Sequence, residues 1–348
     1  MNQTCPFMNK WAILIGPTEY EHVRPLKYCT KDIVDVGEAL RKTLEFPGEN
    51  ILAFGTGLQH KPGLTEFYHE LGEFLRGGRI QENDLVFFYF SGHGIRDKKD
   101  YLLPVDATPT NLSRTGIEVE DLVNQLTETH CKNIVMFIDA CREAIRGQKG
   151  INAIGEDSKG IVERKGIVTF FSCDPEDLSY EIEELQHGSF TYCFLEAIKS
   201  RKCFTAAEVY DFLIKEVPLT NKRYKKPPQR PYAVIVPEDK RDLQLLYSSV
   251  YAVESTRQLE ALTRQLGDLY PGFSIEMLRY FDMAVDLLAV AKERQLIEDE
   301  AMKLELIERL CTGKLKPTSF AVAWDAIERR RGQGWLVTGA RQNLEPLL

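Results

Sequence analysis

Up to about residue 237 the apolar residues of this chain come in two alternating rhythms. Short apolar runs bounded by polar residues read as buried strands. They fall at 11–16, 49–54, 85–90, 134–138, 166–172 and 232–236. Between them the apolar positions take helical spacing. Ile33, Val36, Ala39 and Leu40, beside Asp32, form one such stripe, and residues 64–75 form another, stopped by Gly77 and Gly78. Further helical stripes run over 119–126, through Phe190, Phe194, Leu195 and Ile198, and through Ala206, Val209, Tyr210, Leu213 and Ile214. Residues 100–107 read as a short ribbon. Strands alternating with helices predict an α/β fold, a six-stranded, mostly parallel sheet with helices on both faces and right-handed crossovers.

After Pro237 only the helical rhythm remains. Leu259, Leu262, Leu266 and Leu269 begin it; Met277, Phe281, Val285 and Leu288 continue it; Leu304, Ile307 and Leu310, then Phe320, Trp324 and Ile327, complete it. Pro271-Gly272 and Pro317 separate the stripes. The pattern predicts an all-α bundle of roughly four helices over 250–335, a regulatory or protein-interaction domain distinct from the α/β domain at 1–240. Periodicity does not separate a core face from a partner-binding face. Between 143 and 165 the apolar pattern lapses among Gly147, Gly150, Gly155 and Gly160, so this stretch reads as a long loop.

Charge and cysteine content narrow the function classes. A net charge of -8 over 348 residues gives no general reason for nucleic-acid or membrane binding. No run reaches the ~18 apolar residues of a membrane-spanning helix, and residues 1–10 do not resemble a signal peptide, so the expected location is cytoplasmic. The eight cysteines show no CxxC pair and no metal-ligand spacing, and read as free thiols. Cys29, Cys193 and Cys203 read as small buried fillers in helical text. There is no Gly-rich phosphate loop, and no cofactor or metal is called for.

Two strands end in chemistry. The run 134–138 leads into Asp139-Ala140-Cys141-Arg142, and the run 85–90 into Ser91-Gly92-His93-Gly94. Sites in open α/β sheets gather beyond the carboxyl ends of the strands. If these two strands are neighbours, a thiol and an imidazole leave one sheet edge side by side, the minimum equipment for a cysteine nucleophile and its base. His22, His60, His69, His130 and His187 read instead as surface or helix-edge histidines.

Phe90-Ser91-Gly92-His93-Gly94 followed by Ile138-Asp139-Ala140-Cys141-Arg142 resembles the caspase-like cysteine peptidases, in the branch of metacaspases, paracaspases and prokaryotic caspase homologues. Tyr101-Leu102-Leu103-Pro104-Val105-Asp106 and His187-Gly188-Ser189-Phe190-Thr191 match the same branch, and the resemblance covers roughly residues 10–237. It implies that His93 is the general base and Cys141 the nucleophile, and that the backbone N–H groups of Gly94 and Cys141 form an oxyanion hole. Protein or peptide substrates follow from it.

The resemblance also implies a specificity. Family members that cut after aspartate carry glutamine two residues before the nucleophile, whereas metacaspases and paracaspases carry aspartate there and prefer arginine or lysine. Asp139 therefore implies a basic preference, with Asp174 or Asp177 as a second acidic pocket wall and Asp32 as a structural residue. His187 takes a structural place. The stretch 143–165 stands where caspases carry a processing linker, so Arg146, Lys149, Lys159, Arg164 and Lys165 are candidate self-cleavage points. The calcium dependence of some metacaspases is not carried over, because 146–149 is basic. The helical tail resembles the death-like and effector-associated domains of prokaryotic relatives, which implies recruitment by a sensor or adaptor. Two other readings remain: a non-catalytic scaffold of the same fold acting through its tail, and a different cysteine hydrolase such as an acyltransferase.

Overall fold

The computed structural model describes residues 9–141, 156–174, 178–200 and 203–246. The chain divides into two units, Met1–Ser249 and Val250–Leu348. The second unit, with the expected bundle at 250–335, lies outside the described residues, as do Arg146, Lys149 and Asp177. The elements of the first run β1 (Lys10–Gly16), α1 (Cys29–Lys42), β2 (Ile51–Gly55), α2 (Leu64–Leu75), β3 (Leu85–Asp97), β4 (Lys99–Leu102), α3 (Leu112–Thr115), β5 (Ile117–Glu118), α4 (Val119–Thr127) and β6 (Asn133–Cys141). They continue with α5 (Glu156–Lys165), β7 (Val168–Phe171), β8 (Glu181–Ile182), β9 (His187–Gly188), α6 (Ser189–Ser200), α7 (Ala206–Arg223) and β10 (Tyr232–Val234).

The main sheet has the order β10-β7-β6-β3-β1-β2. All neighbours in it are parallel except β10, which closes one edge antiparallel to β7. The fold class is the expected one, a six-stranded, mostly parallel sheet with helices on both faces. Successive side chains of a strand point to opposite faces, and here both faces are apolar. On β3, Val86, Phe88 and Phe90 join a core with Phe67 and Leu71 of α2, Leu122 and Leu126 of α4, and Ile161 and Val162 of α5. Phe87 and Tyr89 join the other core, with Ile33 and Val36 of α1, Phe190 and Phe194 of α6, and Val209 and Leu213 of α7. At the centre of that second core Phe137 lies 4.4 Å from Phe170 and 4.3 Å from Phe194, centroid to centroid.

Three boundaries differ most from the sequence reading. The run 85–90 does not end at Phe90: β3 continues through Ser91-Gly92-His93-Gly94 to Asp97, and beyond the parallel sheet it pairs antiparallel with β4. The ribbon at 100–107 shrinks to Lys99–Leu102. The stretch 143–165 is not loop throughout, since its last part is α5. That helix is mostly polar and gains its place from two buried apolar side chains and a cap supplied from outside. The Asp100 Oδ2 of β4 accepts from Ser158 N at 2.8 Å and from Ser158 Oγ at 2.6 Å, in the first turn of α5. Lys159, Arg164 and Lys165 are exposed on this helix; cutting a bond there requires the helix to open first.

Candidate active site

The neighbouring strands β3 and β6 pair Ser91 with Asp139, Gly92 with Ala140 and His93 with Cys141. The two-residue period of a strand puts Ser91 and His93 on the same face as Tyr89, and Asp139 on the same face as Phe137. That is the face covered by α1 and α6. One slip of register would bring Gly92 opposite Cys141 and separate the pair. Cys141 is the last residue of β6, two positions beyond Asp139.

His93 is fully buried. Its Nε2 lies 2.7 Å from the carbonyl oxygen of Arg24. A carbonyl only accepts, so Nε2 carries the proton and Nδ1 is the basic nitrogen of the neutral ring. Tyr20, from the same 17–28 loop, tilts against the imidazole at 4.7 Å between centroids. Its hydroxyl accepts the His93 backbone N–H at 2.9 Å. The close fit explains Gly92, where a Cβ would stand 2.7 Å from both the Phe90 ring and the Tyr20 hydroxyl. Gly94 follows in β3, opposite Leu102.

Below His93 two carboxylates are buried together. The Asp139 Oδ1 accepts from Ser179 Oγ at 2.6 Å and Oδ2 from Thr191 Oγ1 at 2.9 Å. Asp32, on the inner face of α1, accepts from Ser91 Oγ at 2.8 Å, and its Oδ1 lies 2.7 Å from His187 Nδ1. Gly188 passes between them: a Cβ there would meet Asp139 Oδ2 at 2.9 Å and Asp32 Oδ2 at 3.5 Å. Burial pushes the Asp32 carboxyl up to about 7 against the pull of the His187 hydrogen bond, and the charge of Asp139 adds to the rise. Burial raises Asp139 as well, opposed by its hydroxyl partners. Among the described residues neither carboxylate has a lysine or arginine as ion-pair partner.

This arrangement bears on three sequence readings. Asp174, the expected second acidic wall, is half-exposed and lies 3.7 Å from Arg230. The carboxylate buried beside Asp139 is Asp32, read from the sequence as structural. His187, read as a surface or helix-edge histidine, is buried on Asp32. A carboxylate on the apolar stripe of α1, in step with Cys29, Ile33 and Val36, was the signal available in the sequence. A cleft of about 480 Å³ opens over the site, lined by His93, Ser179, Tyr180 and Glu181 and by the 24–28 segment. Ser179 belongs both to the cleft and to Asp139, so the cleft leads to the acidic pair.

A parallel α/β sheet that holds a histidine and a cysteine at paired positions on its central strands, over buried acids, is the frame of a caspase-like protein. The chain belongs to the caspase domain family, whose peptidase C14 model matches residues 9–233. A paracaspase of Dictyostelium discoideum is 29% identical over 211 residues, 59% of this chain and 48% of that protein. The chain thus spans about half the length of that relative. Among solved structures it resembles caspase-1 from Spodoptera frugiperda with a TM-score of 0.42 at 14% identity, covering 68% of this chain and 92% of that one.

Proposed function

We propose that this protein is a cysteine endopeptidase that cuts protein chains after arginine or lysine. His93 takes the proton of Cys141 through Nδ1, held in that tautomer by the Arg24 carbonyl. A free thiol of pKa ~8.5 is only about 3% ionised at pH 7, so ionisation by itself gains about thirtyfold. The larger gains come from fixed orientation and from the backbone N–H groups of Gly94 and Cys141 around the developing oxyanion, each such donor worth ~10²–10³ in rate. His93 then returns the proton to the leaving amine, and water releases the acyl group from Cys141.

The observation that carries the specificity is the Asp32–Asp139 pair, buried, close together and supplied with hydroxyl and imidazole partners but no cation among the described residues. A buried carboxylate pair of this kind is costly until a cation joins it. A guanidinium supplies two N–H bonds in fork geometry to each planar acid, and an ammonium supplies charge. Self-cleavage by the same specificity would fall at Arg146 or Lys149 before the helical Lys159, Arg164 and Lys165. Residues 250–335 would bring the enzyme to a sensor or adaptor.

Fluorogenic peptides ending in arginine, lysine or aspartate, given to wild type and to Cys141→Ala, test the reading. Turnover of the basic peptides that vanishes in Cys141→Ala supports it. Turnover only after aspartate would refute the pocket assignment and leave the dyad. Silence with all three peptides, with residues 250–348 present or removed, would favour the scaffold.

A further inference from the structure

His187 has no part in the mechanism above, yet it is buried between the specificity carboxylate and the surface. Its Nδ1 lies 2.7 Å from Asp32 Oδ1. Its Nε2 has two partners, Asp35 Oδ2 at 3.1 Å and Lys31 Nζ at 3.2 Å. Lys31 and Asp35 pair with each other one helical turn apart, and their side chains are 41% and 31% exposed. These two partners suit the two tautomers of the ring. With the proton on Nε2 the imidazole donates to Asp35 and its Nδ1 lone pair faces Asp32; with the proton on Nδ1 it donates to Asp32 and its Nε2 lone pair faces the Lys31 ammonium.

The pocket needs such a path. A basic side chain binds well only to ionised acids, and the entering residue fills the cleft through which a proton would otherwise leave. Resting on the pocket assignment above, we propose that His187 is a positioning residue whose proton shift from Nε2 to Nδ1 stabilises Asp32 as a carboxylate while a basic side chain enters, the displaced proton leaving by way of Asp35, so that the carboxylate meets its substrate charged. The exchange balances. Asp32 gives its proton to His187 Nδ1; the Nε2 proton passes to Asp35 and then to water; Nε2 turns to Lys31; Asp32 keeps the negative charge that pairs with the substrate cation. No other group needs to be oxidised, reduced or supplied.

The groups facing Asp32 fit this role. Asp139 on β6 raises its affinity for a proton; His187 and Ser91 lower it. Cys29 on its own helix and Tyr89 on β3 feel its charge. Glu181 on β8 adds charge near Cys29 and Asp139, and is itself held by the backbone N–H groups of Lys27 and Tyr28 at 2.8 and 2.7 Å. Of these groups, His187 joins Asp32 to Lys31 and Asp35, which reach solvent and do not line the cleft.

The test is binding of agmatine, an arginine side chain without its carboxylate, to the full chain by calorimetry from pH 5.5 to 9 (~0.5-unit steps); it needs no turnover. Wild type should bind more tightly as pH rises, to a plateau. His187→Phe keeps a ring in the place but cannot donate to Asp32, and so loses the bond that favours its ionised form. Its midpoint should move up by about one unit, which is about tenfold weaker binding on the acid side, with the plateau affinity within about twofold of wild type. Asp35→Asn removes the acceptor that holds the proton on Nε2, and a negative charge with it, so it should move the midpoint down, and it decides the matter if His187→Phe does not fold. An unchanged midpoint, or a loss of equal factor at every pH, overturns the proposal while leaving the pocket. Failure of wild type to bind agmatine at any pH overturns the pocket assignment first and this proposal with it.

Discussion

At the scale of single residues the site is a set of positions where one atom decides. Asp32→Asn and Asp139→Asn each remove one charge from the pocket; charge-assisted bonds of this kind are worth ~1.5–3 kcal/mol. Each should lower kcat/KM for an arginine peptide by about 10- to 100-fold, most of it in KM, and the loss should be smaller for a peptide with a neutral residue at the cleavage point. Gly188→Ala inserts a methyl 2.9 Å from Asp139 Oδ2. It should cost about tenfold in the same measurement, since the carboxylate rather than the backbone has to yield. The pairing of His93 with Cys141 was legible in the sequence because both follow strong apolar runs. It hid Asp32, whose place in the first turn of a helix looks like ordinary dipole compensation. It hid His187 as well, which precedes α6 with no apolar run to mark it as buried.

Among elements, what the sequence showed depended on how much apolar surface each one buries. The helix α2 was legible to the residue, from Leu64 to Leu75, because Phe67, Leu71 and Phe74 leave a clean stripe. The helix α5 was not, because Ile161 and Val162 are adjacent and make no stripe. The far part of β3 was hidden for another reason: Ser91, Gly92 and Gly94 are poor strand formers, and pairing with β6 and β4 overrides them. The helix α5 leans on its external cap, so Asp100→Ala should cost about 0.5–2 kcal/mol, read as a lower urea midpoint. Thr205, which accepts from Glu208 N at 3.3 Å in a reciprocal capping box, should cost a like amount when changed to alanine. Phe137→Ala opens a void among Phe87, Phe170 and Phe194; ~3–5 kcal/mol is the usual range for such a loss.

For the whole molecule, the acidic pair ties stability to pH. Asp32 holds its proton in the folded state up to about pH 7, against a usual value of 3.8. Between those values the folded chain binds more protons than the unfolded one, so this group's contribution to stability falls as pH rises, and levels off above about 7. Asp32→Asn should therefore match wild type in urea unfolding near pH 4 and exceed it at pH 8. Equal midpoints for the two proteins at both pH values would refute the assignment of a buried, proton-holding Asp32. The two cores, one on each face of the sheet, meet along β3, and β3 also carries His93, the proposed general base. Its neighbours hold it on both sides, β1 as far as Phe90 and β6 as far as His93, after which β4 takes over from Gly94. The consequence is mechanical. His93 rides on the girder of the domain rather than on a hinged part, and amide protons around it should be among the slowest in the domain to exchange with deuterated solvent. Withdrawing His93 from its place would mean dismantling the sheet.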